Sequence, residues 1–513
     1  MIHSKKHDAK NEMKSKIFIN SVYGLILQVI LIPINFLLRY ILLRYIGVDL
    51  IGVSGTAISL VGILCLAEGG FGSAIAFCLY KPIVENDYER INKLIAVFKR
   101  VYTYIGCFIL LAGFVFLFFL RYMFNGIEMT VGVYSIFYME CINSAASYFL
   151  CYRRTLLVAN MQGYLNSKVD IVCNLVFSLT GVLAVFLTHN YFLYLLIKIL
   201  QTVVSNVVIH IVSQKSCPYV KRTSIDKSVF KEVLGYCKNL IAGNLAAYVY
   251  NSTDNLVIST FTKTSNVGYL SNYTMISNYL KTLSAACISG ATPAIGQKMA
   301  NDDIDSRRIT FNRYSGICRL MALLVCVPTY VLMDSFIENV YGAEYVLDRA
   351  ITIFITMVVY LFIAPFACGT YITTSGNFKI LKYVEILGAV TNLMISLVMV
   401  RSWGISGVLL GTVVSAFLQW VVRSYYVYIK ILQWRFRTYM LGWLKELVAV
   451  LILVISEIVI SKVMASINID IYAIEFVFSG LISVVIAFAL YTILYHFEDK
   501  LKITDIVGMI RRK

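Results

Sequence analysis

The sequence predicts an all-α integral membrane protein with about 14 transmembrane helices. Three observations carry this reading. Of 513 residues, 59% are hydrophobic and 14% charged, with a mean hydropathy of +0.76, whereas a soluble domain is about a quarter charged. The apolar runs reach the roughly 20 residues that a helix needs to cross a bilayer, and only 6 prolines interrupt them. Basic residues gather in every second connection between those runs.

The expected spans are 17–43, 50–80, 101–120, 131–151, 169–188, 191–213, 233–260, 266–296, 315–336, 350–373, 380–400, 404–429, 441–462 and 472–496. An even number puts both termini on one side. With the N-terminus in the cytoplasm, the inner segments hold 33 Lys and Arg and the outer ones 6. That is the bias that orients membrane proteins, and one span more or fewer would scramble it. The net charge of +17 is therefore read as orientation in a membrane rather than affinity for nucleic acid. Met1–Lys16 is polar and basic, and the apolar stretch after it is too long for a signal-peptide core, so it reads as an uncleaved first span. No outer loop is longer than about a dozen residues, which leaves no room for an extracellular domain.

A weak repeat divides the chain. "RYILLRYIGVDLIG" (Arg39–Gly52) and "DNLVISTFTKTSNVG" (Asp254–Gly268) each end one span on a charge, turn through a short outer loop, and open the next span at a glycine. The longest basic linker, 214–232, separates the halves, which run in the same direction. Transporters built from repeated halves bind substrate between them. The expected organisation is a cytoplasmic tail at 1–16, spans 1–6 at 17–213, the linker at 214–232, spans 7–12 at 233–430, and spans 13–14 with a second cytoplasmic tail at 431–513.

With Lys445 and Lys462, at the ends of span 13, counted with the flanking segments, six basic residues fall inside spans: Arg39, Lys198, Lys238, Lys281, Arg319 and Arg423. A charge at bilayer depth is costly unless it faces water or a partner, whereas one near a helix end can snorkel. Lys281 shares a helix face with Ser271, Thr274 and Asn278; Asn244, Asn251, Asp254 and Asn255 form a second polar stripe; Ser21, Gln28, Asn35 and Arg39 form a third. The stripes fit a shared water-filled cavity, or else hydrogen bonds that hold the bundle together. Glu68 and Glu140 lie in spans 2 and 4. A carboxylate as deep as Glu68 should be protonated or paired, with cations on spans 1 and 8 as candidates. Gly69, Gly70 and Gly72 beside it permit close approach or a bend, and Pro33, Pro328 and Pro365 should kink spans 1, 9 and 10.

Other chemistry is excluded. The 12 cysteines are scattered without a C-x-x-C, and the 5 histidines, including His189, His210 and His496, lack metal-ligand spacing. No phosphate-binding Gly-x-x-x-x-Gly-Lys-Ser/Thr loop is present. Asp303-Ile304-Asp305 reads as a helix cap in a solvated loop. Catalytic and metal sites are expected to be absent.

The stretches "RYIGVDLIGVSG", "LAEGGFGSAIAFCLYKPIVENDYERINKLIAVFKRVY" and "NSTDNLVISTFTKTSNVGYLSNYTMISNYL" resemble bacterial flippases of lipid-linked oligosaccharides. These are the O-antigen and capsular polysaccharide transporters of the multidrug/oligosaccharidyl-lipid/polysaccharide exporter superfamily. The resemblance implies two pseudo-symmetric six-helix lobes in a V, plus two accessory C-terminal helices, working by alternating access in the bacterial cytoplasmic membrane. It implies a non-enzymatic transporter of undecaprenyl-pyrophosphate-linked glycan, without a cofactor, with H+ or Na+ as candidate coupling ions. Membrane lipids and a polysaccharide polymerase are candidate partners, and nucleic acid is not. Arg39, Lys281, Lys198, Asn35, Asn278 and Asn251 are the expected cavity residues, the cations serving the pyrophosphate, and Glu68, Asp254 and Glu140 the coupling or gating residues. A multidrug exporter of the same superfamily and a peptidoglycan-precursor lipid flippase are the alternatives. A lipid-linked-glycan polymerase or glycosyltransferase would need a large outer loop or a cytoplasmic catalytic domain, and neither is visible.

The charge distribution predicts labelling from outside at Asn125→Cys and Glu344→Cys, and none at Asn86→Cys or Asp302→Cys, when a membrane-impermeant thiol reagent is applied to intact cells. Outside labelling at residue 86 would overturn the topology.

Overall fold

A computed structural model describes residues 30–221, 223, 224, 226–301, 303–435 and 472–499. Among them the chain is helical, without strands. The helices are α1 (30–45), α2 (Val48–Cys65), α3 (Phe71–Glu85), α4 (Tyr88–Phe116), α5 (Val131–Tyr148), α6 (Cys151–Ala159), α7 (Gly163–Thr188), α8 (Tyr191–Ser216), α9 (Lys227–Phe261), α10 (Thr264–Ser289), α11 (Thr292–Asn301), α12 (Ile304–Tyr341), α13 (Arg349–Ile363), α14 (Phe366–Thr374), α15 (Phe378–Tyr426) and α16 (Tyr472–Asp499). Each expected span coincides with helix except 441–462, which lies outside the described residues, as does the start of span 1. Seven described helical stretches are long and apolar enough to cross a membrane. Large apolar side chains cover their outward faces, such as Leu111, Leu183, Leu187 and Val398, as contact with lipid tails requires.

Short polar residues start the helices where the loops between spans were expected. Asp87 accepts the amide of Arg90, Asn190 those of Phe192 and Leu193, Asp226 that of Ser228, and Asp348 that of Ala350. Asp303 accepts the amide of Ser306, so the D-x-D sequence opens α12 as a cap. Span 10 is broken at Pro365, between α13 and α14, whereas α12 runs on through Pro328. Pro33 lies inside α1, whose earlier part is outside the described residues. Spans 11 and 12 are the two arms of α15. The helix reverses at Gly404 (φ 54°, ψ −129°), and Gly411 meets Ser396 across the arms.

Contacts divide the chain into two units, Met1–Gly268 and Tyr269–Lys513. In the first, α2 is the central helix, packed on α5, α9 and α4. One of its faces carries only small residues, Gly52, Gly55, Ser59 and Gly62, at helical spacing. A Cβ on Gly52 would overlap the carbonyl of Thr264, and one on Gly268 would overlap that of Val48. The matched glycines of the two repeats thus abut. On the same face Gly62 admits the Tyr248 ring, Tyr248 donates to the Ser59 carbonyl at 3.3 Å, and Asn255 donates to Ser59 Oγ at 3.0 Å. These contacts gather α9 with the first unit, so the packing boundary falls beyond the basic linker. In the second unit α12 packs on α13 and α16, around a core holding Phe311, Tyr314, Cys326, Tyr360, Tyr371 and Trp420.

The linker end of α9 is tied to α4 by Arg90 with Glu232, and by Lys93 with Asp226 at 3.6 Å. The Ser228 hydroxyl and backbone amide hold the Asp226 carboxyl below its usual 3.8. A lowered carboxyl contributes stability that is complete above the unfolded value and is lost as pH falls through the folded one. Amide exchange at Ser228, relative to the intrinsic rate, should therefore accelerate as pH falls below 3.8. Asp226→Asn should remove that dependence; a dependence retained in this variant would contradict the capping role.

Candidate functional site

The segment "LAEGGFG" shows why glycines crowd a carboxylate. The α-helix of span 2 ends at Cys65, tightens into a 3₁₀ turn over Leu66–Glu68, and restarts at Phe71. Gly69 (φ 56°) and Gly70 (φ 82°) make the break in left-handed conformations that side-chain-bearing residues resist. Glu68, on the last residue of the turn, accepts the hydroxyl of Tyr102 on one oxygen and that of Tyr148 at 3.2 Å on the other. Gly72 makes this possible: a Cβ there would lie 2.5 Å from the Tyr102 hydroxyl and 2.9 Å from Glu68 Oε1. The expected bend is present. The expected cation is not the partner of Glu68 among the described residues; two tyrosines from α4 and α5 are. Their hydroxyls satisfy both oxygens without bringing a second charge into an apolar setting. A cavity of about 450 Å³ adjoins the break, lined by Ala67, Phe71, Val101, Ile105 and Phe230 among others.

Glu140 and Lys198, expected as a gating residue and a cavity cation, meet each other. Lys198 Nζ lies 2.9 and 3.0 Å from the two carboxylate oxygens, and Ser54 Oγ donates to one of them at 3.0 Å. Glu140 is 3% exposed. The cluster joins α5, α8 and α2, and removing one charge of such a pair costs about 3–5 kcal/mol. Arg39 Nη2 donates to the Gly268 carbonyl at 2.8 Å, which clamps the glycine contact between the repeats. Asn35, one turn earlier on α1, and Asp254 on α9 are both half-buried and partnered. The side chains of Asn251, Asn244 and Lys238 lie outside the described ones. Asn255 of the same stripe is used in holding α9 to α2.

In the second unit, Asn278 is exposed on α10 and Lys281 is half-buried. Lys281 Nζ stands 6.0 Å from the centre of the Phe362 ring, and no carboxylate partners it among the described residues. Arg423 pairs with Glu385 at 2.6 Å, and Arg319 is partnered.

Sequence reasoning missed the residues that complete these clusters. Tyr102 and Tyr148 carry neither charge nor spacing that marks them in the sequence; the one signal was the glycine four residues after Glu68. Arg154, counted only as a loop cation, makes a bidentate pair with Asp170 at 2.9 Å and reaches Ser205 and Asn206. Asn206 in turn donates to carbonyls of Ala146 and Phe149, where α5 ends.

Residues 41–350 match the model of a family described as polysaccharide biosynthesis protein. No curated protein sequence matches the chain. Similar solved structures include a lipid II flippase, MurJ, in an inward closed conformation, with a TM-score of 0.66 and 12% identity over 93% of this chain and 99% of that one. The MATE transporter VcmN of Vibrio cholerae gives 0.55 and 13%, over 82% and 99%. A MOP superfamily transporter from Pyrococcus furiosus gives 0.53 and 14%, over 80% and 94%. At these identities the likeness is one of fold, that of all-helical membrane transporters. The family match takes in most of the first repeat and all of the second, the Glu68 break, the Glu140–Lys198 pair and Lys281, and extends over more than half of the sequence. The chain belongs to the polysaccharide biosynthesis protein family.

Proposed function

We propose that the chain is a flippase that carries undecaprenyl-pyrophosphate-linked oligosaccharide repeat units across the bacterial cytoplasmic membrane by alternating access, with both termini cytoplasmic. Family membership and the transporter fold support the class. The observation that carries the substrate reading is Lys281: a half-buried ammonium midway along α10, facing an aromatic ring, without a carboxylate among the described residues. Such a cation is stabilised by an anion that enters from outside the fold, and a pyrophosphate supplies one. A multidrug exporter taking cations would need available carboxylates, whereas Glu68 and Glu140 are occupied by Tyr102, Tyr148 and Lys198. A peptidoglycan-precursor flippase shares the carrier and is favoured by the likeness to MurJ. The family description favours the surface-polysaccharide pathway.

Lys281→Ala and Arg39→Ala should abolish surface glycan in a complementation assay at near-normal protein levels. Lys281→Arg and Arg39→Lys should retain part of it, because positive charge is the main need and geometry refines it. Full complementation by both alanine variants would overturn the cationic site. Vesicles loaded with lipid-linked oligosaccharide or with lipid-linked peptidoglycan precursor distinguish the two flippase readings.

Glu68 sits at the span 2 break, and this reading makes it the reset element. It holds α4 and α5 through two accepted hydrogen bonds beside the break at Gly69 and Gly70. Glu68→Gln, which keeps one accepting oxygen and replaces the other with a donor, should fold and bind substrate but turn over more slowly. Normal turnover would remove Glu68 from the mechanism.

A further inference from the structure

Within the first unit, α4, α6 and α8, with Val220, Lys221 and Thr223, border a half-open cavity of about 550 Å³. Lys99, Arg100, Arg153 and Lys221 line it, with His210 and Gln214, and no carboxylate does. These residues lie at the ends of their spans that the basic loops assign to the cytoplasm. None of them belongs to the expected transport cavity.

Arg153 is the unusual member. It is 7% exposed, and its Nε and Nη1 meet no hydrogen-bond acceptor among the described residues. Its guanidinium carbon lies 5.5 Å from the centre of the Tyr152 ring. The next residue, Arg154, though only half-buried, has a bidentate carboxylate and two neutral acceptors. His210 Nδ1 also lacks a partner, while its Nε2 is 3.1 Å from Gln214. A buried guanidinium with unmet donors is strongly unfavourable until an anion reaches it.

We propose that this cavity is a binding site for a phosphoryl group. Four cations around one space match the multiple charge of a phosphate, and the planar guanidinium offers it paired donors. The space exceeds what a bare phosphoryl group fills, so the ligand carries an attached group against Ile95 and Leu150. An anionic phospholipid headgroup at the inner leaflet and a soluble phosphate ester present the same chemistry.

The test uses the purified full-length protein and thermal unfolding. One arm titrates inorganic pyrophosphate in detergent at constant ionic strength; the other compares nanodiscs of phosphatidylglycerol with nanodiscs of phosphatidylcholine. Stabilisation by pyrophosphate assigns a soluble ligand, and stabilisation by phosphatidylglycerol alone assigns a headgroup. Arg153→Gln should weaken the effect about tenfold in apparent affinity. Because a buried arginine can matter for folding, the exposed pair Lys99→Gln with Lys221→Gln is measured alongside and should weaken it in the same sense. No stabilisation in either arm, or stabilisation unchanged in the Lys99/Lys221 variant, overturns the proposal.

Discussion

A polar group inside an apolar helix bundle has no water to turn to, so each one must find its hydrogen bonds in another helix or in a ligand. The first unit is organised by that constraint. Glu140 draws Lys198 and Ser54 to it and so joins three helices at one point. Arg154 does the same with Asp170, Ser205 and Asn206, and Asn206 passes the connection on to the carbonyls at the end of α5. Along α7 and α8 the outward side chains are apolar. Specific helix pairing there comes from these buried polar clusters and close packing, because lipid tails solvate apolar side chains as well as a neighbouring helix does.

Glycine sets how close the helices can come and where they break. On α2 the small face lets the start of α10 approach backbone to backbone and admits the Tyr248 side chain of α9, and Arg39 closes the first contact by donating to Gly268. At Gly69 and Gly70 the same residue type has a different use: it supplies left-handed backbone, ends one helix and starts another. Glu68 lies at that discontinuity, with both oxygens taken by hydroxyls. A neutral donor pair holds a carboxylate less firmly than an ammonium does, which suits an element proposed to open and close.

Among the described residues, Lys281 and Arg153 are the cations on which the proposed sites rest. Lys281 faces a ring, and Arg153 faces a cavity lined by further basic side chains. An anion from outside the fold is the proposed match for each. The proposed functions follow from that match: an anionic carrier lipid at the first, a phosphoryl group at the second.

Hydropathy and basic loops made the all-α membrane class and the span positions legible, because a bilayer imposes about 20 apolar residues per crossing and the charge bias runs along the chain. A bend beside Glu68 was also legible, and so was the repeat whose stretches end at Gly52 and Gly268, since glycine clusters and repeats are local patterns. The partners were not. Lys198 read as a cavity cation and Glu140 as a gate until the fold set them 2.9 Å apart, and Glu68 was assigned a cation where Tyr102 and Tyr148 stand. Sequence determined which residues needed a partner, because desolvation follows from residue type and depth. Tertiary structure alone decided which partner each received, because that depends on which faces of α2, α4, α5 and α8 the packing turns toward one another.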